Sequence, residues 1–172
     1  MIPNPPNETK LIQQLPVIAA VRGARVFTPE QLIALDKKVG ILFDKIITDA
    51  GHPSEARRIV KITNSIKPLI MRLKKHYRQL RPWDIARKHN IPFDYDPVKS
   101  AQTFAYPSGH TMQAHYLAGV LARDYPHLSD ELHQIAKQVE LSRLALGVHF
   151  PTDNAAGRML ASRLLNLPTT IG

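Results

Sequence analysis

The chain has 172 residues, with 23 lysines and arginines against 14 acidic residues, a formal net charge of +9, and no cysteine. This length suits a single domain with a buried core, and the lack of cysteine excludes disulfides, thiolate metal sites and a cysteine nucleophile. The first residues lack the basic start and apolar stretch of a signal peptide, and no apolar run is long enough to span a bilayer. We therefore expect a soluble, cytoplasmic protein with no transmembrane segment, the alternative being a mature secreted or periplasmic form.

The N-terminal half of the sequence predicts a series of helices. Residues 1–8 have the Pro- and Asn-rich composition of a flexible arm, and residues 9–172 are expected to form the folded domain. Thr28, Pro29 and Gln31 follow the order of a helix N-cap, a first helical residue and a capping-box residue. Helices are predicted over residues 8–22, 29–50, 54–66 and 68–81, with breaks expected at Gly51, Pro68 and Pro82.

The positive charge is concentrated in the last two of these helices. From Arg57 to His89 there are eleven lysines and arginines and one acid, Asp84, so the local excess of ten accounts for the imbalance of the whole chain. Such a stretch indicates either a solvated helix face or attraction of a polyanion, which would be a phosphorylated substrate, a nucleic acid or an anionic membrane surface.

The C-terminal half predicts a long loop followed by three helices. Residues 90–106 show no clear period and contain several helix breakers, and long loops inside compact domains are commonly functional or disordered. Helices are predicted over residues 109–124, 129–148 and 152–165. Strand signals are scarce and no internal repeat is present. The predicted fold is all-α, a single-domain helical bundle of about six to eight helices.

Two cations in the fourth predicted helix are spaced to leave the same face. Lys74 and Arg81 are seven residues apart, close to two helical turns, and each follows a residue of the apolar stripe, Leu73 or Leu80. Two long cations that converge from one face suit an oxyanion. The alternative is a solvated basic pair.

The stretch YPSGHTMQAH, residues 106–115, begins the next predicted helix with a turn and a histidine. Turn amides around Ser108 and Gly109, with the free N–H groups of a helix start, can form an anion-binding nest. Gly109 allows close approach of a ligand to the backbone. The alternative is a capped helix start that carries a surface histidine, His110.

The third segment, SRLALGVHFPTD, spans residues 142–153. His149 follows the C-terminal end of a predicted helix, where the dipole favours a cation. Asp153 opens the following helix and can turn back to accept a hydrogen bond from one ring nitrogen of His149, leaving the other nitrogen free to attack. The alternative is an exposed histidine beside an acidic helix start.

Together these segments resemble the three-part signature of the type 2 phosphatidic acid phosphatases, whose superfamily includes bacterial acid phosphatases and vanadium haloperoxidases. The matching residues are Lys74-x6-Arg81-Pro82, then Pro107-Ser108-Gly109-His110, then Ser142-Arg143-x5-His149-x3-Asp153. All three parts are present in order, and they span less than half of the chain.

The resemblance implies a role for each of these residues. Lys74, Arg81 and Arg143 would hold the phosphate oxygens, helped by the amides of Ser108 and Gly109. His149 would attack phosphorus to form a phosphohistidine, and Asp153 would orient it. His110 would protonate the leaving oxygen and then activate water. The implied activity is that of a phosphomonoesterase acting on a small-molecule or lipid phosphate, without a metal or another cofactor, and vanadate could occupy the phosphate site.

The long loop between the first two segments carries aromatic side chains that suit either of two purposes. Phe93, Tyr95 and Tyr106 could contact the part of the substrate beyond the phosphate and set substrate choice. Equally, they could cover the hydrophobic core, as aromatic residues in loops often do.

Two alternative functions fit part of the sequence. A vanadium haloperoxidase would use the same oxyanion site, but members of that kind are much longer between the motifs. A nucleic-acid binding module would use the basic stretch of residues 57–89, but it would leave His110, His149 and Asp153 unexplained, and no interleaving of aromatic and basic residues supports base stacking. We therefore expect no nucleic-acid partner.

Overall fold

A computed structural model describes residues 3–167, which form eight α-helices and two short 3-10 helices and contain no strand. The all-α prediction is confirmed. The α-helices, in chain order, are α1 (Glu8–Ala24), α2 (Pro29–Lys37), α3 (Val39–Asp49), α4 (Ala56–Tyr77), α5 (Pro82–Lys88), α6 (Gly109–Asp124), α7 (Ser129–Ala145) and α8 (Pro151–Leu165), and the 3-10 helices are Lys99–Ala101 and Pro126–Leu128. The division into an arm of residues 1–8 and a domain of residues 9–172 stays a prediction.

Helix α6 lies at the centre of the bundle. It packs along α7 and α8 and also contacts α4, while α2 and α3 cover α7 from outside. The largest core cluster joins these helices through fully buried side chains such as Phe43 of α3, Leu117 and Leu121 of α6, and Val139 of α7. Because α6, α7 and α8 pack so closely, residues at their ends are brought together within the protein.

The helix predicted over residues 29–50 is divided in two by a break at Lys38. Its predicted start is correct, since the Thr28 hydroxyl accepts from the amide of Gln31 and the Gln31 side chain accepts from the amide of Thr28. Helices α2 and α3 contact each other, and each also contacts α7. The sequence pattern shows no signal for this bend.

Helix α4 is continuous where the sequence predicted two helices. Pro68 lies inside it, although a proline removes one backbone hydrogen bond. The buried stripe of Ile59, Ile66 and Ile70 runs through both halves and holds the helix on α3 and α6. At 22 residues α4 is the longest helix, yet across residues 3–167 no helix combines the length and apolar character needed to cross a bilayer.

The end of α4 also differs from the prediction. The helix stops at Tyr77, and Arg78 adopts a left-handed conformation with φ of 50°. Leu80, expected in the buried stripe, is therefore 40% exposed. Pro82 starts α5 rather than ending the preceding helix. The tight connection between α4 and α5 decides where Arg81 lies.

Helices α6 and α8 approach each other closely at the end that carries residues 107–110. A Cβ atom added to Gly157 of α8 would lie 2.7 Å from the carbonyl oxygen of Ser108 and 3.1 Å from the amide nitrogen of Met112. Only glycine therefore allows this separation. The contact fixes the start of α6 against the first turns of α8.

Candidate active site

His149 and Asp153 lie together at the start of α8. Oδ2 of Asp153 accepts a 2.9 Å hydrogen bond from the amide of Phe150 and lies 3.0 Å from Nδ1 of His149. The other ring nitrogen, Nε2, lies 3.0 Å from Nη1 of Arg81. Because a guanidinium only donates and a carboxylate only accepts, these two contacts assign the proton to Nδ1 and leave a lone pair on Nε2.

Burial keeps the His149 ring neutral. Desolvation, followed by the charges of Arg81 and Lys74, holds the pKa of His149 well below its usual value. Although the dipole at the end of α7 favours a cation, burial and the nearby cations lower the pKa of His149. Burial also raises the pKa of Asp153 to about 6, against hydrogen bonds from Phe150 and Gln79 that lower it.

Lys74 and Arg81 are both buried beside this pair, but not because they share a helix face. Lys74 belongs to the last turn of α4, whereas Arg81 is the N-cap of α5 and reaches the site after the chain has turned at Arg78. Desolvation, followed by repulsion from the charge of Arg81, lowers the pKa of Lys74 to about 7. Desolvation lowers the pKa of Arg81 to about 10.

Lys74 and two of the three donor atoms of Arg81 bind the main-chain carbonyl oxygens of Thr103, Phe104 and Ala105, which we call the carbonyl cap. The third donor atom of Arg81, Nη1, binds the carbonyl of Val148 and Nε2 of His149. Arg81 donates from Nε to Thr103 at 2.8 Å and from Nη2 to Phe104 at 3.3 Å. Lys74 donates to the carbonyls of Phe104 and Ala105. The cap thus supplies oxygen atoms to the same donors that were predicted to hold phosphate oxygens.

Ser108 caps α6 and is fully buried. Its hydroxyl accepts from the amide of Thr111, and its own amide donates a 3.0 Å hydrogen bond to the carbonyl of Asp153. In this structure the close approach of α8 engages the Ser108 amide, and its contact with phosphate stays a prediction. Gly109 opens α6 ahead of the intrahelical hydrogen bonds, and a Cβ added there would lie 3.8 Å from Cε of Lys74.

His110 is the second residue of α6 and directly follows Gly109. Its Nε2 is 3.0 Å from the carbonyl oxygen of Asp36 and 3.6 Å from Oδ1 of the same residue. Burial and the charge of Arg143 lower its pKa to about 4. The ring faces a cavity of about 390 Å³ between α2, α3 and α4, distinct from the cleft that reaches Lys74 and Arg81. The structure thus does not bring all the predicted residues into one open cavity.

Asp36 is a site residue that the sequence did not reveal. Its Oδ1 accepts a 2.8 Å hydrogen bond from Nη1 of Arg143 and a 2.6 Å hydrogen bond from the hydroxyl of Ser100. Burial tends to raise the pKa of this carboxyl, but the bonds from Arg143 and Ser100 hold it below its usual value. Arg143, predicted to bind phosphate, is 1% exposed and carries a carboxylate partner. No motif or spacing links these two residues.

Gln79 is a second such residue. Its Nε2 donates a 2.6 Å hydrogen bond to Oδ1 of Asp153. Its Oε1 has no partner and is, within residues 3–167, the one buried side-chain oxygen or nitrogen in that condition. A glutamine between Arg78 and Leu80 carries no recognisable signal in the sequence.

An open cleft of about 1030 Å³ leads to Lys74, Gln79 and Arg81 from outside. Its outer walls are mainly apolar, and they include Met71, Leu80, Trp83, Tyr95 and Phe104. The cleft is therefore shaped to take a group that extends beyond an anion.

Of the three aromatic residues predicted for a substrate loop, Tyr95 lines this cleft and stacks on Trp83, with ring centroids 4.4 Å apart. Phe93 instead packs against the core cluster of α1 and α5. Tyr106 is 2% exposed, and its hydroxyl donates a 2.6 Å hydrogen bond to the carbonyl of Pro3. The structure therefore places one of the three beside a cavity that reaches the site.

Comparisons with known proteins give one family. Residues 59–170 match the PAP2 superfamily. Non-specific acid phosphatases of Salmonella typhi and of Salmonella typhimurium are each 31% identical over 99 residues, covering 55% of this chain and 39% of theirs. The match thus spans about two-fifths of the length of these relatives.

Among solved structures, the crystal structure of a transmembrane PAP2-type phosphatidylglycerolphosphate phosphatase from Bacillus subtilis aligns at 20% identity and a TM-score of 0.48, over 92% of this chain and 93% of that one. The family assignment rests on the match over residues 59–170, which contains every residue of the three-part signature. The chain belongs to the PAP2 superfamily.

Proposed function

We propose that this protein hydrolyses phosphate monoesters through a phosphohistidine formed on Nε2 of His149. The observation that carries the proposal is the position of this ring between Asp153, 3.0 Å from Nδ1, and Arg81, 3.0 Å from Nε2. The carboxylate fixes the tautomer, and the cation marks where a phosphate would lie in front of the attacking lone pair. The superfamily and the acid phosphatase relatives support phosphoester hydrolysis as the reaction class.

In the first half of the reaction, the Nε2 lone pair of His149 attacks phosphorus as the bond from phosphorus to the ester oxygen breaks. The departing oxygen takes a proton from His110, whose ring must first leave Asp36 and turn from its own cavity toward the phosphate. Because burial and Arg143 lower the pKa of His110 to about 4 in the unliganded protein, that proton must arrive with the substrate. A phosphate dianion near the α6 N-terminus favours the imidazolium and can hold it there until transfer.

In the second half, water attacks the phosphohistidine while neutral His110 accepts its proton. The bond from phosphorus to Nε2 breaks, His149 regains its lone pair, and inorganic phosphate leaves. Asp153 keeps its hydrogen bond to Nδ1 throughout and stabilises positive charge on the ring. The proton taken up by His110 then leaves with the inorganic phosphate, because the free protein holds His110 neutral.

Phosphate binding requires the three cations to change partners. Lys74 and Arg81 would release the carbonyl cap, and Arg81 would also release Nε2 of His149 so that its lone pair faces phosphorus. Arg143 would share its guanidinium between Asp36 and the anion. Within residues 3–167 there is no group of three or more histidine, aspartate or glutamate side chains suited to a metal ion. The cations would therefore supply the charge neutralisation, and we propose hydrolysis without a metal.

The test is hydrolysis of p-nitrophenyl phosphate by the purified chain with and without EDTA, followed by inhibition with vanadate. We expect turnover that EDTA leaves unchanged and that vanadate suppresses by occupying the site as a phosphate analogue. A panel of nucleotide, sugar, inositol and lipid phosphates then ranks the substrate classes. Activity lost in EDTA and restored by a divalent metal would falsify metal independence, and absence of hydrolysis across the panel would remove the proposed function.

A further inference from the structure

The outer face of α4 carries six cations and no acid. Four lie on the helix between residues 57 and 72, Lys75 lies in its last turn, and the sixth directly follows its end: the set is Arg57, Lys61, Lys67, Arg72, Lys75 and Arg78, all of them exposed. At about 100° per residue, the five positions within the helix fall within an arc of about 140° along a helix about 33 Å long. We call this surface the α4 basic face.

These cations lack acidic partners among the described residues. None of the six takes part in an ion pair there, whereas Arg58, which points to the side of the same helix, pairs with Asp124 and Glu55. Ion pairs elsewhere in the molecule commonly join a surface cation to a nearby carboxylate. The α4 basic face therefore presents uncompensated positive charge over its whole length, which favours an extended anionic partner.

Large apolar side chains are exposed on and beside the same face. Val60 is 56% exposed and Met71 is 43% exposed, both within the arc of the cations. Beyond the end of the helix, Leu80 and Phe104 are 40% and 38% exposed. Such apolar side chains among cations are typical of surfaces that bind at the interface of a bilayer, where the cations meet headgroups and the apolar groups enter below them.

The cleft opens beside this face. Met71, Leu80 and Phe104 line its outer wall, together with Arg72 and Lys75 of the basic face. Helix α4 packs on α3 and α6 through its opposite side. The outer side is therefore free to meet a flat surface without covering the contacts that hold the bundle together.

We propose that the α4 basic face docks the protein on an anionic lipid bilayer, with the cleft opening toward the membrane surface. A bilayer explains both the uncompensated cations and the exposed apolar side chains. A nucleic acid would be expected to use aromatic side chains for stacking, and within residues 3–167 Phe104 is the one aromatic residue among the exposed large apolar side chains. The proposal concerns binding and holds whether or not the phosphatase proposal is correct.

Cosedimentation of the full chain with vesicles tests the proposal. The vesicles are phosphatidylcholine alone or phosphatidylcholine with about one-third phosphatidylglycerol, at roughly 0.1 M and 0.5 M salt. We expect binding to the anionic vesicles at low salt, weaker binding at high salt and little binding to phosphatidylcholine alone. Equal binding to both vesicle types would overturn the proposal.

Charge-reversal variants locate the binding surface. Arg72→Glu/Lys75→Glu changes the net charge by four on the face, and Lys10→Glu/Lys137→Glu makes the same change at exposed positions elsewhere. We expect the first pair to weaken vesicle binding by at least about 30-fold and the matched pair to weaken it far less. Equal losses in the two variants would show an effect of net charge alone and would contradict a specific face.

A third variant and a competing ligand separate a membrane from a nucleic acid. Met71→Ser/Leu80→Ser keeps every charge, so it should weaken vesicle binding while leaving any binding to a DNA duplex unchanged. If vesicle binding is unaffected and the duplex binds more tightly than the vesicles, the face serves a nucleic acid and the proposal is wrong. Circular dichroism melting of each variant ensures that only folded proteins are compared.

Discussion

The side-chain amide of Gln79 donates a 2.6 Å hydrogen bond to Oδ1 of Asp153, the carboxylate oxygen that His149 does not use. Oδ2 is held by the amide of Phe150 and lies beside the ring. Both oxygens are therefore engaged, and the carboxylate cannot rotate away from the histidine without breaking a buried hydrogen bond. In a site where Asp153 orients the nucleophile, Gln79 acts on the reaction through Asp153.

Replacing Gln79 should change the pH dependence of the reaction. Its hydrogen bond lowers the pKa of Asp153, which burial has raised to about 6, so Gln79→Met should raise that pKa further. Activity that needs ionised Asp153 should then be lost at a higher pH on the acid side, and kcat should fall by about 10- to 100-fold. Gln134→Met, at an exposed position, is the matched control. A lower melting temperature with an unmoved acid limb would mean that Gln79 only fills space.

The two site histidines should fail in different ways. His149→Ala should abolish turnover, because it removes the attacking nitrogen. His110→Ala should still accept phosphate from p-nitrophenyl phosphate, whose leaving group needs little protonation, and should hydrolyse the intermediate about 10² to 10⁴-fold more slowly. Acid-labile labelled phosphate should therefore be trapped on the His110 variant and not on the His149 variant. Trapping in the reverse pattern would show that the two roles have been exchanged.

Anion binding should weaken as the pH rises through the pKa of Lys74. Burial and Arg81 lower that pKa to about 7 in the free protein, and a bound anion raises it. Above pH 7 the free protein loses the Lys74 proton that the complex retains, so the inhibition constant of vanadate should rise with pH by up to about tenfold per unit.

Lys74→Arg is the control for this dependence, because a guanidinium stays charged across the range. The ratio of the inhibition constants of the two proteins cancels the titration of vanadate itself. The inhibition constant of the unchanged protein divided by that of Lys74→Arg should rise above pH 7 and stay constant below it. A ratio that is flat across the whole range would mean that Lys74 remains protonated, or that it does not contact the anion.

Local sequence patterns predicted those parts of the site that depend on neighbouring residues. His149 and Asp153 are separated by one helix start, so the turn that joins them was visible in the sequence, and the bounds of α6 follow from the Ser108 cap. The continuity of α4 through Pro68 was not predictable locally, because a buried stripe along α3 and α6 overrides the proline.

The missed parts of the site depend on residues distant in the chain. Arg143 and Asp36 are 107 positions apart, and Gln79 and Asp153 are 74 positions apart. The carbonyl cap uses main-chain oxygens, which every residue type carries, so no choice of side chain reveals it. Sequence reasoning therefore identified the charged groups of the site but not their internal partners.

The close approach of α8 to the start of α6 should make Gly157 intolerant of a side chain. The Cβ of Gly157→Ala would lie 2.7 Å from the carbonyl oxygen of Ser108 and 3.1 Å from the amide nitrogen of Met112. Both are backbone atoms of α6 or its cap, so neither can move independently. We expect a loss of about 1–3 kcal/mol and a melting temperature lower by several degrees. Gly23→Ala is the control, since nothing lies within 4 Å of the added atom and an alanine favours the α1 helix. Equal melting temperatures for the two variants would show that the helices can separate at no cost.

Tyr95 and Phe93 should respond differently to the same substitution, although they are two residues apart in one loop. Tyr95 lines the cleft and stacks on Trp83, so Tyr95→Ala removes a wall of the cavity that reaches Lys74 and Arg81. Tyr95→Ala should therefore change the ranking of phosphate esters by kcat/KM.

Phe93 packs against the core cluster of α1 and α5, so Phe93→Ala should leave the ranking of phosphate esters fixed. It should lower the melting temperature by several degrees, for a loss on the order of 1–2 kcal/mol. The measurements are kcat/KM over the four substrate classes and thermal unfolding of both variants. If Tyr95→Ala lowers stability and leaves the ranking as it was, the loop covers the core along its length and substrate choice lies elsewhere in the cleft.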